Sequence, residues 1–124
     1  MTRVNDDSPI FYYVHNGRGI TARMQVRGGK FVLLEGSVIS TRCIMQAGTE
    51  SSQRTAESIS EDLDKLIKDR LINPAEDTSR LQKSVSYTSP SRALKVAAGT
   101  SLNGPAIWKT KEGIIYKVWK LRYS

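Results

Sequence analysis

Two serines, a proline and two basic residues at the start of a short predicted helix could bind an anion. Ser89 can accept hydrogen bonds from the first-turn amides, and Pro90 suits the first helical position because no N–H is needed there. The free amides and the helix dipole attract phosphate, and Ser91, Arg92 and Lys95 stand beside them. A plain helix cap is the commoner meaning of so short a motif, and a phosphate contact is the alternative.

The same segment ends in a glycine, a predicted turn and a tryptophan. Gly99 fits the left-handed position that ends a helix over Pro90–Ala98. Asn103-Gly104 predicts a tight turn, because both residues tolerate positive φ. Trp108 carries so much apolar area that a core position is favoured over a base-stacking one.

The net charge of +7 is unevenly distributed along the chain. Residues 1–49 carry six basic and three acidic side chains, residues 50–77 carry four and eight, and residues 78–124 carry nine and one. The net charges are therefore +3, −4 and +8. A basic half beside an acidic segment is typical of a protein that meets a polyanion, although a basic surface also arises without one.

Catalytic and metal-binding constellations are missing from the sequence. With one cysteine and one histidine, Cys43 and His15, the chain can build neither an internal disulfide nor a Cys/His zinc site. No phosphate-binding loop or nucleophile motif occurs. We therefore expect a binding protein that is not an enzyme and that uses no cofactor and no metal.

No apolar run approaches the roughly 18 residues of a membrane span, and the first residues lack a signal-peptide pattern. We therefore expect a cytoplasmic protein that does not contact a membrane. A length of 124 residues predicts one domain, with residues 1–9 loosely held and the folded module over about residues 17–123.

The first third of the chain predicts a three-stranded antiparallel meander over Ile10–Ile39. Alternation over Ile20–Arg27 places apolar residues on one face and basic residues on the other. Gly28-Gly29 predicts a two-residue hairpin turn, and Gly36-Ser37 breaks or bulges the returning strand.

The whole chain predicts an α+β fold, an antiparallel β-sheet of about five to six strands with two packed helices. In chain order, the other predicted elements are a loop over Cys43–Thr55, a helix over Ser58–Leu71, a strand over Leu81–Tyr87, the helix over Pro90–Ala98, and a hairpin of Ile107–Thr110 with Gly113–Tyr123. The first helix carries much of the acidic segment, so we expect it to face away from any nucleic acid.

The order of these motifs resembles the family called domain of unknown function 4357. The motifs are FVLLEGS at Phe31–Ser37, SPSRA at Ser89–Ala93, Gly99, Asn103-Gly104 and Trp108. The likeness covers about residues 17–116, although Leu94 and Pro105 depart from the family pattern. That family is similar to the RAMA module attached to restriction enzymes and adenine methylases. The resemblance implies binding or sensing of DNA, including modified DNA, in a bacterial or phage restriction, defence or mobile-element setting.

Charge and resemblance together predict a non-catalytic module that binds nucleic acid, with double-stranded DNA as the expected partner. Its predicted contacts are Arg18, Arg23, Arg27, Ser89, Ser91, Arg92, Lys95, Asn103, Lys109, Lys111 and Lys117. The alternative is a protein-interaction module that docks on, or inhibits, a nuclease or methylase.

Overall fold

The computed structural model describes residues 7–46 and 48–123, which form one antiparallel sheet with helices against it. The strands are β1 (Asp7–His15), β2 (Ile20–Arg27), β3 (Lys30–Leu33), β4 (Val38–Ser40), β5 (Thr78–Arg80) and β6 (Val85–Tyr87). The helices are α1 (Glu50–Lys68), α2 (Pro90–Ala98), α3 (Gly104–Ile107) and α4 (Tyr116–Tyr123), and a 3-10 turn spans Asn16–Arg18. The α+β prediction and the predicted number of strands are confirmed.

The meander predicted at the start of the chain is present. β1 pairs with β2, and β2 pairs with β3 through a turn in which both glycines, Gly28 and Gly29, have positive φ. The side chains of β2 alternate as expected, with Ile20, Ala22 and Met24 fully buried. One face of this strand therefore contributes to the core. Residues 1–6, most of the segment predicted to be loosely held, lie outside the described part of the chain.

The predicted break after β3 is a bulge, and β4 continues along the same edge of β2. Met24 pairs with Leu33 and Thr21 with Val38, so two extra residues lie on the bulged side. The buried Ser37 hydroxyl accepts a hydrogen bond from the Arg23 amide at 3.0 Å. This side-chain bond satisfies an amide that the interrupted ladder would leave without a backbone partner.

β5 and β6 follow the bulged strand in a single register. The pairs Ser40–Thr78 and Phe31–Tyr87 have the same offset on either side of the break. Between them, the Leu81 amide donates to the Ser37 carbonyl at 2.7 Å, which bridges the interruption. The strand predicted over Leu81–Tyr87 is therefore shorter, and β5 precedes it.

The predicted helix α2 is confirmed at both ends. The Ser89 hydroxyl accepts from the Arg92 amide at 3.0 Å, and Gly99 ends the helix with φ of 70°. Its apolar residues, including Leu94 and Val96, are fully buried between the sheet and the neighbouring helices. Such a short helix has little stability alone, so packing must hold it in place.

Trp108 is fully buried and attaches the segment after α3 to the start of α2. Its indole N–H donates to the Pro90 carbonyl at 2.9 Å, and its ring meets Tyr13 edge to face at 6.4 Å. The core position expected for this residue is confirmed. Gly104 lies against the same backbone, since a Cβ there would be 2.5 Å from the Pro90 carbonyl carbon.

The prediction of a tight turn at Asn103-Gly104 is wrong. Asn103 has φ of −84° and precedes α3, whose amides at Ala106 and Ile107 bond to the Asn103 carbonyl. Glycine is needed at position 104 because the chain passes close to Pro90, not because of its backbone angle.

The predicted loop over Cys43–Thr55 and the start of the first helix at Ser58 are also wrong, because α1 begins at Glu50. Thr49 caps α1, and its side chain and that of Ser52 form a reciprocal capping box. The first turns of α1 are polar, so hydrophobic periodicity does not reveal them. Buried Ile59 and Leu63 in its second half anchor the whole helix.

The predicted C-terminal hairpin is wrong in its second arm. A single bridge joins Lys109 to Ile115, and the chain then forms α4. Tyr116 and Trp119, one helical turn apart, both pack edge to face on Phe11 at 5.6 Å. A sequence with apolar residues on both faces suits a strand or a helix. The contacts of Tyr116 and Trp119 with Phe11 favour the helix.

We expect Gly104→Ala to lower the free energy of unfolding by about 1–3 kcal/mol, the usual cost of forcing extra volume into a packed site. The added methyl group would meet the Pro90 backbone, which cannot swing away as a side chain can. Urea denaturation measures the change. Gly48→Ala is the control, because nothing lies within 4 Å of its added Cβ; equal losses in both variants would contradict the packing argument.

Trp108→Ala should cost about 3–5 kcal/mol, the range for removing a buried aromatic side chain. The substitution leaves a cavity and removes the donor to the Pro90 carbonyl. The melting temperature of the variant, followed by circular dichroism, measures this loss. An unchanged melting temperature would contradict the core position.

Candidate nucleic-acid interface

One face of the sheet carries the core, and the other is left uncovered by the described elements. Helices pack on the face that contains Phe11, Met24 and Leu33. On the opposite face the outward-pointing side chains of β2, from Thr21 to Arg27, are exposed or half-buried. Val32, which pairs with Gln25, lies on this side but is buried.

Cross-strand pairing brings basic side chains together on this uncovered face. Partners in antiparallel strands point the same way, so Arg27 shares the face with Lys30, and Arg23 shares it with Tyr12. Arg80 joins them, because it pairs with Val38, which in turn pairs with Thr21. The structure thus gathers cations from β2, β3 and β5.

The C-terminal segment adds two lysines at the outer edge of β1. Lys109 exchanges backbone hydrogen bonds with Tyr12, of 2.7 Å and 3.3 Å, and therefore extends the row that contains Arg23. Lys109 and Lys111 line a shallow basin of about 570 Å³ with Tyr12 and Val14. We call Tyr12, Arg23, Arg27, Lys30, Arg80, Lys109 and Lys111 the sheet surface.

Three residues of the predicted anion site at the start of α2, Ser89, Ser91 and Arg92, make internal contacts. The Ser89 hydroxyl caps the helix, and the Ser91 hydroxyl accepts from the Gly104 amide at 3.2 Å. The Arg92 guanidinium donates twice to the Asp62 carboxylate, at 3.0 Å and 3.1 Å. The acidic helix α1 therefore meets the predicted phosphate site directly, and the prediction that Ser89 caps α2 is confirmed.

The other predicted contacts are dispersed. Arg18 donates to the Ala98 carbonyl at the end of α2 and to the Ser40 hydroxyl, so it ties the helix to β4. Asn103 is exposed where α3 begins, and Lys117 is exposed on α4. Of the predicted basic residues, Arg23, Arg27, Lys109 and Lys111 lie on the sheet surface.

Sequence reasoning missed three members of the sheet surface. Lys30 could have been found, because a two-residue turn at Gly28-Gly29 sets Lys30 opposite Arg27. Tyr12 follows in the same way only once the register of β1 is known. No feature of the sequence placed Arg80 on this surface, because β5 has only three residues and its pairing with β4 depends on the long-range fold.

Burial raises the pKa of the Tyr87 hydroxyl strongly above its ordinary value, because the phenolate would lose its hydration. The negative charge of Asp62 raises this pKa further, while Arg92 opposes the shift. The hydrogen bond and charge of Asp62 in turn raise the pKa of the Arg92 guanidinium. The Arg92–Asp62 pair joins α2 to α1, and its charges act on the hydroxyl of Tyr87 in β6.

Among the described residues, no group of three or more His, Cys, Asp or Glu side chains is arranged to hold a metal ion. Nor does any described helix have the length and apolar character needed to cross a membrane.

The chain matches the model of a known family. The model of the family described as domain of unknown function (DUF4357) matches residues 12–120, which is most of the chain. The matched range contains β2 to β6 and helices α1 to α3 in full. No curated protein and no solved structure matches this chain.

The raised pKa of Tyr87 predicts that the fold loses stability at alkaline pH. In the unfolded chain tyrosine ionises near pH 10, and in the fold its pKa is higher. The stability that the neutral phenol contributes is therefore complete below about pH 10 and is lost as the pH rises above that value. Urea midpoints measured from about pH 8 to about pH 11 should fall less steeply for Tyr87→Phe than for the parent. Parallel curves would contradict this role for Tyr87.

Proposed function

Because the chain belongs to the family of domain of unknown function 4357, whose description assigns no activity, we propose a function from its surface. The protein binds nucleic acid, with duplex DNA as the first partner, through the sheet surface. The observation that carries this proposal is the row of cations on the one sheet face that the described helices leave open. The binding is non-catalytic in this proposal.

The spacing of the cations suits a phosphate backbone. Arg23 and Arg27 are four residues apart on β2, so their Cα atoms are about 13 Å apart at the usual rise of a strand. The phosphates of one DNA strand repeat about every 3.4 Å along the helix axis, so this distance spans about four of them. Lys30 and Lys109 widen the contact across the strands. Such contacts give affinity and strong salt dependence without reading sequence.

Tyr12 adds a feature that the cations lack. Its ring lies between Lys109 and Arg23 in one cross-strand row, half-buried and within reach of the open face. An aromatic side chain among cations can stack on an exposed base or pack on a sugar. The bacterial or phage restriction and defence setting, and the sensing of modified DNA, are further parts of this proposal that come from the resemblance to the RAMA module.

A protein-interaction module is the second candidate, and α4 supports it. Leu121 is 80% exposed and Val118 is 38% exposed, one helical turn apart near the end of the described chain. Exposed apolar side chains of this kind occur at protein-protein interfaces. This surface and the sheet surface can be tested separately.

Salt-dependent binding to a short duplex tests the DNA proposal. We expect Lys30→Ala and Lys109→Ala each to weaken binding uniformly across sequences. Each should also reduce the slope of log K against log salt by about one, as for one lost phosphate contact. The double variant should reduce the slope by about two. Lys68→Ala, on the exposed side of α1, is the matched control and should leave the slope unchanged.

Arg92→Ala identifies the binding face. If the slope of log K against log salt falls in this variant, but not in Lys30→Ala or Lys109→Ala, the interface lies at the start of α2 and not on the sheet surface. If the parent does not bind DNA at low salt, the proposal fails. In that case Leu121→Ser, which removes the exposed apolar side chain, tests the interaction module by its effect on capture of a partner protein.

A further inference from the structure

A cleft between α1 and α2 lies apart from the sheet surface. Its volume is about 250 Å³, below the roughly 300–1,000 Å³ typical of sites for drug-sized ligands. The cleft is lined by Ser51, Arg54, Thr55, Ser58, Ile59, Asp62, Arg92 and Lys95. Three cations, three hydroxyl groups and one carboxylate make it a polar site of the size of a small anion.

The cations of the cleft retain donors for a ligand. The Lys95 ammonium has no hydrogen bond or ion pair within the described ranges of the chain. Arg92 uses Nε and Nη2 for Asp62, and its Nη1 has no partner among the same residues. Arg54 contacts Glu50 at 3.0 Å, but the two side chains are 67% and 85% exposed. An exposed pair of this kind is worth little, so Arg54 can turn toward the cleft.

The hydroxyl groups come from one stripe of α1. Ser51, Thr55 and Ser58 are spaced by four and three residues, so they lie on one face of the helix. The Thr55 hydroxyl donates to the Ser51 carbonyl at 3.2 Å. Within the described residues, the hydroxyls of Ser51 and Ser58 make no hydrogen bond. A phosphate oxygen accepts from hydroxyl, ammonium and guanidinium donors, and this cleft offers all three.

The surroundings of the cleft favour a compact anion over a nucleic-acid backbone. α1 carries five carboxylates and three cations, a net charge of −2. Glu57 and Glu61 are exposed on this helix, Glu50 pairs with Arg54, and Asp62 lines the cleft itself. A long polyanion would be repelled along the helix, whereas a single phosphoryl group would meet mainly the cations within the cleft.

We propose that the cleft between α1 and α2 binds the phosphoryl group of a small ligand. Lys95 and Arg92 supply the charge, and the hydroxyls of Ser51 and Ser58 supply the neutral hydrogen bonds. Asp62 holds Arg92 in place and, by its own charge, limits the affinity. This site is independent of the sheet surface and of nucleic-acid binding.

Titration of the parent protein with pyrophosphate at constant ionic strength, followed by calorimetry, tests the proposal. Lys95→Gln should weaken binding about tenfold, as expected for the loss of one charged hydrogen bond. Asp62→Asn should strengthen binding by about three- to fivefold, because it removes a partly exposed negative charge but keeps an acceptor for Arg92. Lys68→Gln, which removes a cation from the same helix outside the cleft, should have no effect.

Lys95→Gln and Lys68→Gln change the net charge equally, so weaker binding in Lys95→Gln alone separates a phosphate site in the cleft from a nonspecific effect of charge. Equal affinity in Lys95→Gln and the parent, or no binding of pyrophosphate by the parent, would overturn the proposal. So would displacement of pyrophosphate by a stoichiometric amount of duplex, because the cleft would then belong to the nucleic-acid contact. Lys30→Ala should bind pyrophosphate like the parent, so failure of the DNA proposal leaves this result unaffected.

Discussion

The hydrogen bond from the Trp108 indole to the Pro90 carbonyl holds together the parts of this structure that are far apart in the chain. It joins the segment after α3 to the first turn of α2, while the Trp108 ring is buried against Tyr13 of β1. The backbone at residue 104 lies so close to the Pro90 backbone that this residue must be glycine. α2 is short, so its position between the sheet and α3 depends on such contacts.

The position of α2 determines which residues are covered and which are exposed on each face of the sheet. The helix covers the apolar face of the sheet, and this leaves the basic face of β2 and β3 open. At its start, the pair of Arg92 with Asp62 links α2 to α1, and the charges of this pair act on the half-buried Tyr87 of β6. The basic residues are thereby divided between the open face of the sheet and the cleft between α1 and α2.

The two proposed sites make different demands on charge. On the sheet surface, cations spread over several strands suit an extended partner whose affinity accumulates from many weak contacts. In the cleft, Lys95 and Arg92 converge with hydroxyl groups on a small volume beside an acidic helix. The net charge of the chain does not distinguish the two proposed sites, because the cations of both sites count toward the same excess of positive residues.

Local rules determined much of the fold. Alternation in β2, the Gly28-Gly29 turn, the bulge at Gly36-Ser37 and the cap at Ser89 were all predicted, because each depends on residues adjacent in sequence. The size of Trp108 also predicted its core position. The family was identified from the order of these same motifs, and the match over residues 12–120 confirms it.

Tertiary structure decided the rest. The polar first turns of α1 are helical because Ile59 and Leu63 are anchored further along, and α4 is a helix because Tyr116 and Trp119 find Phe11. The pairing of Arg92 with Asp62 joins residues thirty positions apart. Sequence patterns report the preferences of neighbouring residues, whereas contacts over such separations are settled only when the elements pack. The sequence by itself therefore determined β2, its hairpin turn and bulge, and the capped helix α2. The packing determined the length of α1, the helical form of α4 and which basic residues share a surface.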